Sequence, residues 1–151
     1  LFASACEVGG LIAKAEAEQV EALRLYGEAL GVSFQIVDDF LDYSGNKSNL
    51  GKNIGDDFRE KKITLPVIYS LQNKNKINQE FWKRTLGKGQ QKYDDFKLAQ
   101  KILVKDGSLT KTRLEAIYWS NKARTQLAVL PKNHLTDLLG RLTDYVVGRI
   151  N

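Results

Sequence analysis

Asp38, Asp39 and Asp42 are the residues of this chain best placed to do chemistry. They fall at i, i+1 and i+4, with Phe40 and Leu41 filling the gap. At about 3.6 residues per turn, Asp38 and Asp42 share one helix face and Asp39 flanks them. Like charges at this spacing destabilise a helix mildly, and a cation between them reverses the sign. Oxygen-only donors suit Mg²⁺, which keeps several waters and shares substrate phosphates with one or two carboxylates. Gln35 precedes Asp38 by one helical turn and Asp42 by two, on the same face. Its amide can bond a carboxylate or a phosphate oxygen. Phe34 lies four residues before Asp38 and could wall an apolar ligand beside the metal.

Downstream, Gly51-Lys52, Gly55-Asp56-Asp57 and Lys62-Ile63-Thr64-Leu65-Pro66 follow in close order. Gly51 and Gly55 free the backbone to turn around an anion. Lys52 and Lys62 can act as point charges toward phosphate oxygens. Metal, anion and carboxylate would then neutralise one another.

The elements that must carry these residues read as helices. A small-residue helix is expected over 1–16, and one long helix over 18–43, where Val20, Leu23, Leu30, Phe34, Val37 and Leu41 recur at helical spacing. Gly27 and Gly31 lie inside it, each costing about 1 kcal/mol against Ala, so a neighbouring helix is expected to approach closely there. Residues 44–62 read as a loop, 63–71 as a helix with Thr64 as N-cap and Pro66 in the first turn, and 72–76 as a polar connector. Further helices are expected over 77–86, 93–105, 110–130 and 134–149. No strand-like alternation or internal repeat is visible, so the expectation is a single all-α domain over 1–151.

Composition narrows the function classes. With 42% hydrophobic and 27% charged residues the chain reads as an ordinary globular protein. No apolar run approaches the roughly 18 residues of a membrane span, and no signal segment opens the chain. The net charge of +5 permits nucleic acid, a membrane surface or small anions as partners. No nucleic-acid motif is present, and small phosphorylated ligands account for the charge. A lone Cys6 fits a reducing, cytoplasmic compartment. The chain has no methionine and opens on Leu1, so it is expected to be part of a longer polypeptide. Asp94-Asp95 is read as a helix-start pair favoured by the macrodipole. His134, Arg141 and Arg149 are read as surface residues, Cys6 as buried and inert, and Trp82 and Trp119 as core or interface anchors.

The run Gly31-Val32-Ser33-Phe34-Gln35-Ile36-Val37-Asp38-Asp39-Phe40-Leu41-Asp42 resembles the second aspartate-rich motif of the trans-prenyl diphosphate synthases, with its preceding Phe-Gln. The Gly51-Lys52, Gly55-Asp56-Asp57 and Lys62-to-Pro66 segments resemble the block that follows it. The likeness runs from Leu1 almost to Asn151 and corresponds to the C-terminal part of an isoprenoid-synthase-type helical bundle. It implies Asp38, Asp39 and Asp42 as Mg²⁺ ligands, directly or through water. It implies Lys52 as a contact to the allylic diphosphate, with Gln35 nearby and Asp57 and Lys62 supporting the same site. It also implies head-to-tail condensation of isopentenyl diphosphate with an allylic diphosphate, by a homodimer when complete. The Gly55-to-Glu60 segment leans toward bacterial long-chain members that supply quinone tails. One departure is Glu60-Lys61-Lys62, where the family often has Glu-Gly-Lys. A larger one is that the first aspartate-rich motif, which the family places in its N-terminal half, is not in this sequence. The alternative expectation is therefore a truncated or split-gene product: a non-catalytic helical partner subunit or an inactive remnant.

Overall fold

The computed structural model describes residues 1–44 and 54–150. Lys52 lies outside the described residues, as does Gly51. The described residues are helical, with no strand among them. They form two compact units, Leu1–Val37 with Glu115–Asn151, and Asp38–Leu114.

The first unit holds α1 (Phe2–Ile12), most of α2 (Ala17–Ser44), the later part of α7 (Ser108–Gln126) and α8 (His134–Gly148). α2 is the long helix expected from the apolar spacing, and the close neighbour expected at its glycines is α1. A Cβ on Gly27 would stand 2.5 Å from the Phe2 carbonyl oxygen and 2.9 Å from Cys6 Sγ; one on Gly31 would meet Phe2 Cβ at 3.1 Å. Three buried hydroxyls tie the elements together. Ser33 Oγ donates to the Ala116 carbonyl at 2.8 Å, Tyr26 Oη to Leu139 at 2.9 Å, and Ser120 Oγ to Thr143 at 3.0 Å. Each is thereby a satisfied polar group, which burial demands. α8 is capped by Asn133, whose side chain accepts from the Leu135 and Thr136 amides, an N-cap of the usual kind. His134 is the exposed first residue of α8. Cys6 is partly buried, and burial pushes its thiol up. Trp119 is half-buried; its indole N–H donates to Glu115, and the Lys122 ammonium lies 4.3 Å from a ring centroid.

The second unit is built from the end of α2, α3 (Asp56–Arg59), α4 (Leu65–Gln72), α5 (Lys76–Trp82), α6 (Asp95–Lys105) and the start of α7. Its core gathers Tyr43, Phe58, Val67, Phe81, Trp82, Leu86, Ala99, Leu103 and Leu109. Trp82 is the anchor the sequence suggested. It is fully buried, its ring meets Phe81 edge-on at 4.9 Å, and its N–H donates to Ser70 Oγ at 2.8 Å. Ser70 in turn donates to Asp106 Oδ2 at 2.5 Å. Truncating so large a buried ring costs about 3–5 kcal/mol.

Three expectations change. Residues 44–62 do not form an uninterrupted loop, because α3 occupies 56–59. The helix expected over 77–86 begins at Lys76 and widens into a π-helical turn over Lys83–Gly87. That expected over 110–130 runs Ser108–Gln126 and tightens into a 3₁₀ turn at Leu127–Val129. Asp95 also does more than complement a helix dipole. It is buried, pairs with both terminal nitrogens of Arg84 at 2.7 and 2.8 Å, and accepts from the Lys92 amide. Arg84 first, and then the Lys92 amide, hold its carboxyl below the usual carboxylate range against the opposing effect of burial.

Candidate functional site

The acids end a long helix, the wrong end for negative charge, since the macrodipole there is also negative. Two following elements supply the compensation. Asp42 Oδ1 accepts from the Gly55 amide at 3.0 Å and the Asp56 amide at 3.1 Å, and Oδ2 from the Asp57 amide at 3.1 Å. Asp39 is buried, and its Oδ2 faces the Leu65 amide at the start of α4, at 3.4 Å. Asp38 is half-buried. Thr64 is the N-cap of α4 by position, as expected, but its side chain makes no cap bond.

The structure therefore brings Asp39, Asp42, Asp57 and Lys62 into one neighbourhood. Lys62 Nζ lies 3.4 Å from Asp57 Oδ1 and 2.7 Å from Glu60 Oε2, and the Lys62 amide donates to the Asp57 carbonyl at 2.8 Å. The Glu60 contact, more than Asp57, raises the Lys62 ammonium. Lys62 is exposed, so these pairs contribute little to stability. Burial, and then the Asp57 charge, push the Asp42 carboxyl up, while the three amides act in the opposite direction.

Beneath it are two residues that spacing did not single out for the site, Tyr43 and the hydroxyl of Thr64. Both hydroxyls are buried without a hydrogen bond of ordinary geometry. Burial first, then the charges of Asp42 and Asp57, push the Tyr43 phenol well above its usual range, with Thr64 tempering the rise. An apolar-facing tyrosine one residue after the last acid was the available signal, and a core role explained it equally well.

Phe34 and Gln35 lie on the part of α2 that belongs to the first unit. Gln35 is exposed. The Phe34 ring stands 5.7 Å from that of Phe2, and the Arg149 guanidinium lies 5.5 Å from its centroid. Arg149 is therefore a partly buried cation on an aromatic face, and not a plain surface charge.

Among the described residues, no three His, Cys, Asp or Glu side chains converge as a metal-holding group. Mg²⁺ does not need such a cage, because one or two carboxylates with substrate phosphates and water complete its shell. The hard carboxylate oxygens of Asp39 and Asp42, with a half-buried Asp38 beside them, are of the donor type that suits that cation.

The sequence profile of the polyprenyl synthetase family matches residues 1–103. The chain belongs to the polyprenyl synthetase family. Among curated proteins, this polyprenyl synthetase chain is 32% identical to octaprenyl diphosphate synthase of Escherichia coli, across 99% of the chain and 46% of that protein. It is 33% identical to geranylgeranyl diphosphate synthase of Methanosarcina mazei, across 99% of the chain and 44% of that protein. The chain spans about half the length of the curated relatives it matches. Among solved structures, it superposes on a decaprenyl diphosphate synthase from Rhodobacter capsulatus with a TM-score of 0.92 at 49% identity, covering 99% of the chain and 46% of that structure. It superposes on a polyprenyl synthase from Caulobacter crescentus, complexed with calcium and isoprenyl diphosphate, with a TM-score of 0.90 at 40% identity, covering 97% and 44%. The all-α fold is that of the isoprenyl synthases, and prenyl-chain synthesis is the chemistry of these polyprenyl synthetase relatives.

Proposed function

We propose that this chain supplies one side of a Mg²⁺-dependent prenyltransferase site, joining isopentenyl diphosphate to an allylic diphosphate. The observation that carries this reading is the gathering of the Asp39, Asp42 and Asp57 carboxylates with Lys62 alongside. A diphosphate bridged by divalent metal is the ligand that such a mixed acid–base neighbourhood suits.

Asp38, Asp39 and Asp42 would hold Mg²⁺, directly or through water. The metal would act as a Lewis acid on the diphosphate oxygens. Lys52 and Lys62 would take the remaining phosphate charge, Gln35 would hydrogen-bond a diphosphate oxygen, and Asp57 would orient Lys62. Phe34 would wall the hydrocarbon chain. The allylic C–O bond breaks as the diphosphate leaves with its electron pair. The isopentenyl double bond attacks the allylic cation, and the proton then lost goes to the departing pyrophosphate. What the chain contributes is charge stabilisation of the leaving group and orientation of the two substrates.

The other acidic cluster would come from a segment outside this chain, and the complete protein would work as a homodimer. The roughly half-length coverage of the relatives supports this division. The names of the octaprenyl and decaprenyl relatives support a long-chain product, of the kind that serves as a quinone tail. A non-catalytic partner subunit would share the same coverage, and the coding sequence directly upstream separates the two readings. An in-frame or adjacent first aspartate-rich motif supports the enzyme.

The test is prenyl elongation by the longer protein with isopentenyl and farnesyl diphosphates, reading product length. Asp38→Ala is expected to lower turnover by about 10²–10³-fold, the loss typical of one preorganised group that stabilises transition-state charge. An unchanged rate would sink the ligand assignment. Chain 1–151 alone is expected to make no elongated product.

A further inference from the structure

We propose that Gln91 is a positioning residue for the diphosphate site: its side-chain amide fastens the closing turn of α3 and so aims Lys62. The assignment rests on the site reading above and adds to it a residue from a distant segment. Gln91 Nε2 donates to the Phe58 carbonyl at 2.6 Å, across 33 residues of chain. Phe58 belongs to α3, and its ring is buried in the core. The residue is thereby held at both ring and carbonyl.

α3 is only four residues long. A helix of one turn fixes several dihedrals for one bond and does not hold itself. It closes through two amides: Lys61 donates to the Phe58 carbonyl at 3.1 Å and Lys62 to the Asp57 carbonyl at 2.8 Å. This is the bond pair of a Schellman turn, with Lys61 in the left-handed position, at φ +61°, where glycine is usual. A side chain there carries strain, so the turn needs support from outside. The Phe58 carbonyl has a second lone pair, and Gln91 takes it. The ion pairs of Lys62 with Asp57 and Glu60 lie on an exposed ammonium and hold it weakly. The backbone turn is what aims the Lys62 side chain.

Gln91 can act this way because both of its neighbours are fixed. Arg84 grips Gln90 by both backbone groups: Nη1 donates to the Gln90 carbonyl at 2.6 Å, and the Arg84 carbonyl accepts from the Gln90 amide at 3.0 Å. On the other side, Asp95 accepts from the Lys92 amide at 2.6 Å. Arg84 and the buried Asp95 are themselves joined by two bonds, at 2.7 and 2.8 Å. One ion pair therefore sets the chain before and after Gln91. Arg84 stands in the π-helical turn Lys83–Gly87, a rare geometry frequent at functional sites. Gln91, its supports, α3 and Lys62 all belong to the second unit.

Gln91→Glu tests the assignment, since it keeps the side-chain shape and replaces the N–H donor with a carboxylate. Amide hydrogen exchange on chain 1–151, read by NMR residue by residue, is the first arm. Exchange at Lys61 and Lys62 is expected to speed up at least about fivefold, the loss of roughly one hydrogen bond. The core amides of Val67 and Leu103 are expected to keep their rates. Unchanged exchange at 61 and 62 would overturn the proposal. An equal acceleration at Val67 and Leu103 would make Gln91 a general folding contact and also overturn it. The second arm is elongation by the longer protein with isopentenyl and farnesyl diphosphates. Gln91→Glu is expected to lower kcat/KM for farnesyl diphosphate about fivefold. In a Lys62→Ala background the same change is expected to cost less than about twofold, because Gln91 acts through Lys62. Equal losses in the two backgrounds would overturn the proposal. Absence of elongation by the unmutated longer protein, or an unchanged kcat/KM in Lys62→Ala, would count against the site reading alone, and the amide arm would still decide whether Gln91 fixes the turn.

Discussion

Lys61 holds the backbone at φ +61°, in the left-handed region that favours glycine. This is the position where the resemblance marked a departure, lysine standing where glycine is usual. The turn keeps the conformation that glycine serves and bears the steric penalty of a Cβ. The side chain folds back over Gly89, itself at φ +66°, where an added Cβ would stand 2.7 Å from Lys61 Nζ. The ammonium is thus led toward Gly89, while its neighbour Lys62 faces Asp57. Lys61→Gly is expected to stabilise the chain by about 1 kcal/mol through relief of the left-handed strain. Urea unfolding would show it as a higher midpoint at constant slope. A lower midpoint would mean that the stem packed on Gly89 contributes more than the strain removes.

Two elements show how local sequence and packing share the work. α1 and α2 approach because Gly27 leaves no side chain between them. Gly27→Ala would place a methyl group 2.5 Å from a carbonyl oxygen, and that backbone must shift. The expected loss is about 1–3 kcal/mol, in the range for overpacking. Gly9→Ala, with nothing within 4 Å of its added Cβ, is the control. It is expected to gain about 0.5–1 kcal/mol from helix propensity alone. Equal effects at the two positions would show that the crossing tolerates a wider spacing. Glycines at 27 and 31 were readable as a packing seam because they sit in an otherwise good helix. α3 was not readable in the same way, since four residues carry no periodicity and its anchor, Asp42, lies thirteen residues before Gly55.

At the scale of the molecule, apolar surface remains uncovered. Leu135, Leu138, Leu142 and Tyr145 follow one another along α8 at 58%, 60%, 41% and 70% exposure. They form a stripe of the spacing that a helix uses to meet a partner. Val8, Leu11 and Ile12 add a second exposed group on α1. Contiguous apolar faces of this kind seldom persist on a monomer. Chain 1–151 is therefore expected to associate as its concentration rises, read by sedimentation velocity, and Leu138→Glu is expected to shift it toward monomer. A sharp, monomeric, concentration-independent unfolding transition would contradict this. No helix among the described residues is long and apolar enough to cross a membrane.

The sequence by itself determined the helical class, the long α2, the close approach at its glycines and the likeness to the polyprenyl synthetase family. Each rests on periodicity or on residue types at short spacing, which one chain segment carries within itself. Three carboxylates within five residues need positive partners wherever they fold, so their meaning was local. Which partner each acid takes was decided only by the tertiary structure. Asp39 meets the start of α4, Asp42 meets the three amides of Gly55, Asp56 and Asp57 where α3 begins, and Asp95 meets Arg84. Those bonds join residues far apart along the chain or depend on amides whose direction no side-chain pattern reveals. A carboxylate's type says that it will seek a donor, and only packing chooses between a backbone amide, a guanidinium and a metal ion.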